Sequence, residues 1–304
     1  MDVLALFGPT AVGKTGVAIA VAELLRERGE DPVAVNCDSI QVYRGLERLS
    51  GAATAEERER LEHRLLSFIE PGEEFSAGRY AEAAHAEIDS LLAEGRRPIV
   101  VGGTGLYLRA ALAHLDLRPP VPAEIRDEVE DEIAERGPEA LHAELAPDLA
   151  GNVDPNDTKR IARLTELERS GIDPAPGGEG VWTAELRHPT LLVGLTMDRE
   201  RLAERIDGRV EAMIAGGATG EARAALEAGP SRTARAALGF EQLVSDIDAA
   251  PSREAIESIK AAHRSYARRQ LTWMRRMEGV ELIDRTERDD GDVAAEIIER
   301  LGSG

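Results

Sequence analysis

The sequence predicts an α/β fold, a parallel sheet flanked by helices and interrupted by a helical insertion domain. Three observations predict it. Short apolar runs alternate with longer helical patterns, one strand-to-helix junction carries a phosphate-binding loop, and prolines break the alternation after Leu117. At 304 residues and 42% hydrophobic content, the chain can hold one large domain with an insertion, or two modest domains.

Val3 to Phe7 is a short apolar run ending at Gly8, and an Ala/Leu/Val-rich stretch follows Lys14 to about Arg28, which reads as strand, loop and helix. The loop, Gly8-Pro9-Thr10-Ala11-Val12-Gly13-Lys14-Thr15, matches the phosphate-binding pattern in the context that pattern requires. The core is therefore P-loop NTPase-like. Pro32 to Asn36 gives a second strand that runs into Cys37 and Asp38. An exposed charged helix is expected from Ala55 to Leu66, another from about Ser76 to Glu94, and a third buried strand from Pro98 to Val101, ended by Gly102 and Gly103. Ligands of such a sheet bind at the carboxyl ends of its strands, so the phosphate loop, the Asp38 segment and the Gly102-Gly103 turn share one edge.

After Leu117 the residues Arg118, Pro119, Pro120 and Pro122 end this pattern, and Glu- and Arg-rich helical segments run to about Ser170. Pro174, Pro176 and the glycines from Gly177 to Gly180 make a second break. The expected division is a catalytic core of residues 1–117 and 188–304 and a helical insertion of residues 118–187. Thr190 to Thr196 reads as a strand returning to the sheet, helices run from Arg199 through Met277, and Asp284 to Asp292 reads as an acidic solvated stretch before a closing helix.

A formal net charge of −20 argues against non-specific affinity for a polyanion, so any nucleic-acid site must be local. Aromatic residues make up only 3%, which disfavours a broad base-stacking platform. There is no run of about eighteen apolar residues and Asp2 follows Met1, so neither a membrane span nor a secretory signal is expected. Cys37 is the only cysteine, which excludes an internal disulfide and fits a reducing compartment. A cytoplasmic monomer is the expectation.

Loop amides and the amino end of the next helix would wrap phosphate oxygens, Lys14 would neutralise them, and the Thr15 hydroxyl could hold Mg²⁺. That pattern leaves kinase, ATPase and other diphosphate chemistries open. A nucleotide hydrolase would end its third strand on a metal-binding Asp, whereas Ile99-Val100-Val101 runs into Gly102-Gly103-Thr104-Gly105. Asp38 is the nearest carboxylate on that edge. It could serve a proton, or cap the turn after its strand.

Taken together, the phosphate loop, Asp38-Ser39-Ile40-Gln41-Val42-Tyr43-Arg44-Gly45 and Gly102-Gly103-Thr104-Gly105-Leu106-Tyr107-Leu108-Arg109 resemble the tRNA dimethylallyltransferase family in order and spacing. Asp154-Pro155-Asn156-Asp157 with Arg160, Ile161 and Arg163 is similar to that family's insertion motif. Tyr266-Ala267-Arg268-Arg269-Gln270-Leu271-Thr272-Trp273 is similar to its carboxyl-terminal one. The pattern departs after Gly45, where Ser50 and Ala52 stand at the family's Thr and Lys positions, so that one basic side chain is missing. Ala236 also lies where some members carry a polar or basic side chain.

The resemblance implies transfer of a dimethylallyl group from dimethylallyl diphosphate to N6 of the adenosine immediately 3′ of a tRNA anticodon. Asp38 would be the general base, since an amine whose lone pair is delocalised into a ring needs its proton removed as the bond to carbon forms. Gly8, Thr10, Ala11, Val12, Gly13, Lys14 and Thr15 would clamp the leaving diphosphate with Mg²⁺ on Thr15. Thr104 would bond the adenine or the bridging oxygen, or be a plain turn residue. Asp38, Ser39, Ile40, Gln41 and Thr104 would read a nucleotide flipped out of the anticodon stem-loop.

Arg126, Lys159, Arg160 and Arg163 match tRNA-contacting positions of the family. Ile259 to Met277 holds no acidic residue, and Arg264, Arg268 and Arg275 recur on one helical face, either an RNA-binding stripe or a solvated one. His63 and Cys37 read as structural or incidental. A small-molecule kinase, a prenyltransferase acting on a free adenine nucleotide and a catalytically inert RNA-binding protein are the rival readings.

Overall fold

The computed structural model describes residues 1–115, 117–174, 185–245 and 250–303. The chain forms two compact units, Met1–Leu115 with Val181–Gly304, and Asp116–Gly180. The first unit contains β1 (Val3–Phe7), α1 (Lys14–Glu27), β2 (Pro32–Asn36), α2 (Glu47–Ser50), α3 (Ala55–Arg60), β3 (His63–Arg64), α4 (Ala77–Ala93), β4 (Arg97–Gly102) and α5 (Gly105–Leu112). The second contains α6 (Ala123–Arg136), α7 (Pro138–Glu144), α8 (Pro147–Ala150) and α9 (Thr158–Arg169). The first then resumes with β5 (Thr190–Thr196), α10 (Arg199–Ala215), α11 (Ala218–Glu227), α12 (Arg232–Arg235), α13 (Phe240–Val244), α14 (Arg253–Arg276), β6 (Glu281–Asp284) and α15 (Asp290–Ser303).

The strands make one six-stranded sheet in the order β3-β2-β4-β1-β5-β6, every pair parallel. From β1 the chain winds outward to β2 and β3 on one side and later to β5 and β6 on the other. β1 therefore stands where the winding reverses, and a ligand cleft opens past the carboxyl end of such a strand. All of β1 and β2 is buried, as sheets covered on both faces require. Leu4, Leu6, Ala34, Ile99, Leu191, Val193, Leu195 and Ile283 form one face, packed against Val17, Val21 and Leu25 of α1 and Val293, Ile297 and Ile298 of α15. On β2 and β4, α4 also packs.

Two stretches differ from the sequence reading. The expected helix from Ala55 to Leu66 stops at Arg60, because Leu61 turns extended and fully buried, and His63–Arg64 pairs with Ala34 and Val35 as an edge strand. Burying Leu61 outweighs the helix propensity of the charged run. Of the stretch expected to be solvated, Asp284 to Asp292, the first residue closes β6, which pairs with Val193–Thr196 through Glu281–Asp284. Arg285 after it is only 5% exposed.

In the second unit, Val129, Leu141 and Ile161 from α6, α7 and α9 form a small buried core. Asp157 caps α9 by accepting from the Arg160 amide at 3.1 Å, and Asp154 accepts from the Asn156 amide at 2.8 Å. The Asp154-Pro155-Asn156-Asp157 motif thus has a local purpose, a turn feeding a helix cap. Pro176 and Gly177 to Gly180, expected to make the second break, lie outside the described residues. Among the described residues no helix is long and apolar enough to cross a membrane.

Candidate active site

The phosphate loop leaves β1 and turns back into α1. Ala11 (φ 63°) and Gly13 (φ 93°) hold left-handed conformations, a backbone arrangement that turns successive amides toward one point. A non-glycine residue strained in this way at a loop apex is characteristic of functional turns. No side chain caps Gly13, so the first amides of α1 stay available to an anion. Lys14 folds back over the loop and donates to the Gly8 and Pro9 carbonyls, both at 3.0 Å. Burial, and next the Arg209 charge, push its ammonium down to about 8.

A cavity of about 470 Å³ opens above this loop at the carboxyl ends of β1, β2 and β4, within the range of small-ligand sites. Of the residues expected to bind diphosphate, Thr10, Ala11, Gly13, Lys14 and Thr15 line it, whereas Gly8 and Val12 are buried and not in its wall. Asp38 and Gln41 line it from the β2 side. Asp38 Oδ1 accepts from the Ile40 amide at 3.0 Å and the Gln41 amide at 3.4 Å. The carboxylate is therefore a turn cap and a cavity residue at once. Ser39 and Ile40 supply backbone to this turn and are not in the wall.

Tyr266, from α14, does line the wall. Its hydroxyl lies 3.3 Å from Thr104 Oγ1, which also accepts from the Ser39 amide at 3.4 Å. Thr104 heads α5 without capping it through its side chain, so its hydroxyl joins this network behind the wall. Burial, and then the Asp38 charge, raise the Tyr266 phenol well above its usual range, so it remains a hydrogen-bond donor.

Gln270, 4% exposed and one turn further along α14, joins two of the motifs: its Oε1 accepts from the Thr10 amide at 2.8 Å and its Nε2 donates to the Gly103 carbonyl at 2.7 Å. The glycines of the β4 turn are explained by the same approach. A Cβ on Gly103 would strike Gln270, and one on Gly105 would strike the Trp273 ring.

Cationic residues that the sequence reading passed over complete the wall. Arg205 and Arg209 lie one turn apart on α10, and Arg285 follows β6. Arg205 Nε donates to the Ala11 carbonyl at 2.8 Å, and Arg285 Nη1 to the Gly13 carbonyl at 3.1 Å. Arg209 Nη2 donates to the Ser50 and Gly51 carbonyls at 3.0 and 3.2 Å, and Gln41 Nε2 donates to the same pair. The segment with Ala52 at the family's Lys position is therefore tied to two cavity residues through its main chain. Burial lowers the Arg209 guanidinium, and the charges of Asp38 and Glu57 oppose that shift. Acidic residues also enter the wall, namely Glu57, Asp289 and Asp290. An i, i+4 Arg pair on α10 was a signal available in the sequence; nothing local marked Arg285.

The expected RNA-binding residues divide. On α14, Arg268 and Arg275 are exposed, but Arg264 pairs with Asp207 of α10, and Lys260 pairs with Glu211 and Glu257. The acid-free run in sequence is answered by acids on the neighbouring helix. In the second unit Lys159 and Arg160 are exposed and Arg126 is half-buried. Arg163 there donates to the Pro119 carbonyl at 2.7 Å and pairs with Glu166, which ties it to its own unit. Cys37 is buried at the end of β2, where burial holds its thiol protonated, and His63 lies in β3.

Known proteins resemble this chain along its length. The IPP transferase family matches residues 41–277. A tRNA dimethylallyltransferase of Anaeromyxobacter dehalogenans (strain 2CP-C) is 42% identical over 285 residues, covering 92% of this chain and 94% of that protein. One of Acetivibrio thermocellus is 36% identical over 296 residues, covering 95% and 93%. The crystal structure of the full-length tRNA isopentenylpyrophosphate transferase from Bacillus halodurans superposes with a TM-score of 0.71 at 31% identity, covering 100% of this chain and 96% of that one.

Proposed function

This chain belongs to the IPP transferase family, and from that premise we propose that it is a tRNA prenyltransferase moving a dimethylallyl group from dimethylallyl diphosphate to N6 of the adenosine immediately 3′ of the anticodon. The observation that carries the reading is one cavity in which a carboxylate, Asp38, faces the phosphate loop. Diphosphate would lie against the loop amides, Lys14 and Arg209. As the bond from N6 to the prenyl carbon forms, the bond from that carbon to the diphosphate oxygen breaks, and Asp38 takes the N6 proton. A flipped adenine would enter past Gln41 and Tyr266, with Thr104 behind.

The residues fit Mg²⁺. Thr15, in the cavity wall at the start of α1, would hold the ion through its hydroxyl together with oxygens of the substrate diphosphate. The ion would supply charge neutralisation to the departing diphosphate. We assign the enzyme to the cytoplasm as a monomer, with the anticodon stem-loop as its macromolecular substrate.

The test is mass spectrometry of tRNA nucleosides after incubation with dimethylallyl diphosphate and Mg²⁺, run in parallel with Asp38→Asn. Prenylated adenosine is expected from the parent, and a single-turnover rate roughly a hundredfold to ten-thousandfold lower from the variant at near-parental tRNA affinity. Prenylation of free adenine nucleotide but not tRNA would overturn the substrate assignment, and a variant of parental rate would remove Asp38 as base.

A further inference from the structure

We propose that Arg285 and Arg205 form an additional anion subsite beside Gly13, which takes the distal phosphate of the donor's diphosphate, and that Asp290 holds Arg285 there until the diphosphate arrives. This rests on the reading of the cavity as a diphosphate site. Arg285 Nη1 and Arg205 Nη2 both crowd the position a Cβ would take at Gly13, the latter at 3.3 Å. Two guanidinium groups thus meet at the mouth of the phosphate loop, and a polyanion relieves their repulsion. Arg205 is held below its usual range by burial first and by the Arg285 charge next.

Arg285 is 5% exposed, and its Nε is buried without a hydrogen-bond partner. Arg285 also lines the cavity, so its charge faces an anion bound there. Its only described carboxylate is Asp290, at 2.9 Å. That carboxylate lies over Gly16 in the first turn of α1, where a Cβ would strike it. It occupies the positive end of the helix that the phosphate loop offers to phosphate, and so competes with the ligand for the same field.

Opposite signs for the two partners follow. Isothermal titration of the full chain with inorganic pyrophosphate is the test, with thermal unfolding checked for each variant. Arg285→Gln should weaken binding at least tenfold, Arg285→Lys should restore part of it, and Asp290→Asn should strengthen binding about two- to fivefold. If Asp290→Asn weakens binding as Arg285→Gln does, the pair is a structural strut and the inference fails. Unchanged affinity in Arg285→Gln, with binding lost in Lys14→Ala, also overturns it while leaving the diphosphate reading intact. Absence of pyrophosphate binding by the parent would overturn both.

Discussion

Lys14 shows what burial does to a functional cation. With its ammonium lowered to about 8 by desolvation and by Arg209, it is mostly charged at pH 7 and mostly neutral by pH 9. A bound diphosphate favours the charged form, so binding near pH 8 must draw a proton from solvent. Titrations of pyrophosphate in two buffers of different ionisation enthalpy at pH 8 should report proton uptake approaching one half per site, and affinity should fall from pH 7.5 to 9. Lys14→Arg, whose charge persists throughout, should abolish both effects. Uptake unchanged in that variant would move the titration to another group.

At the scale of elements, α14 acts as a strut for the site along one edge and as a charged surface along another. Gln270 ties the phosphate loop to the turn after β4 through both ends of its amide. Gln270→Glu keeps the size and the acceptor facing Thr10 but sets an acceptor against the Gly103 carbonyl, stranding a buried group. One such loss costs about 1–3 kcal/mol. A slower single-turnover transfer, by about tenfold or more, is expected together with a lower melting temperature; parental values for both would show the tie to be dispensable.

On the exposed edge, Arg268 and Arg275 are free of the acids that occupy Arg264 and Lys260. Replacing Arg268 and Arg275 with Gln should flatten the salt dependence of tRNA binding by about 0.7 to 0.9 in slope for each phosphate no longer neutralised. Arg264→Gln should change the slope far less. Equal slopes for the parent and the double variant in filter binding would make this a solvated face.

For the molecule as a whole, the −20 charge means that stability and RNA affinity both depend on where compensation is local. His263, buried in α14, is lowered to about 4 by burial first and by Arg209 next. The folded chain therefore keeps it neutral while the unfolded chain protonates it near 6.5. Between those values the unfolded state binds more protons, so stability falls as pH drops through the window, by at most roughly 3 kcal/mol from this group. His263→Gln should reduce the difference between urea midpoints at pH 7 and pH 5; an unchanged difference would assign the acid sensitivity to other groups.

The sequence by itself determined the alternating core, the phosphate loop, the position of Asp38 at the end of its strand and the family resemblance, because each is written in neighbouring residues whose spacing fixes their local geometry. Tertiary structure alone decided the rest. His63–Arg64 and Glu281–Asp284 became edge strands because pairing partners distant in the chain were waiting for them. The acid-free run on α14 met Asp207 and Glu211 across a helix interface. Arg209 and Arg285 reached the phosphate loop from segments about 200 and 270 residues away in sequence, where charge interactions follow distance through space and not along the chain.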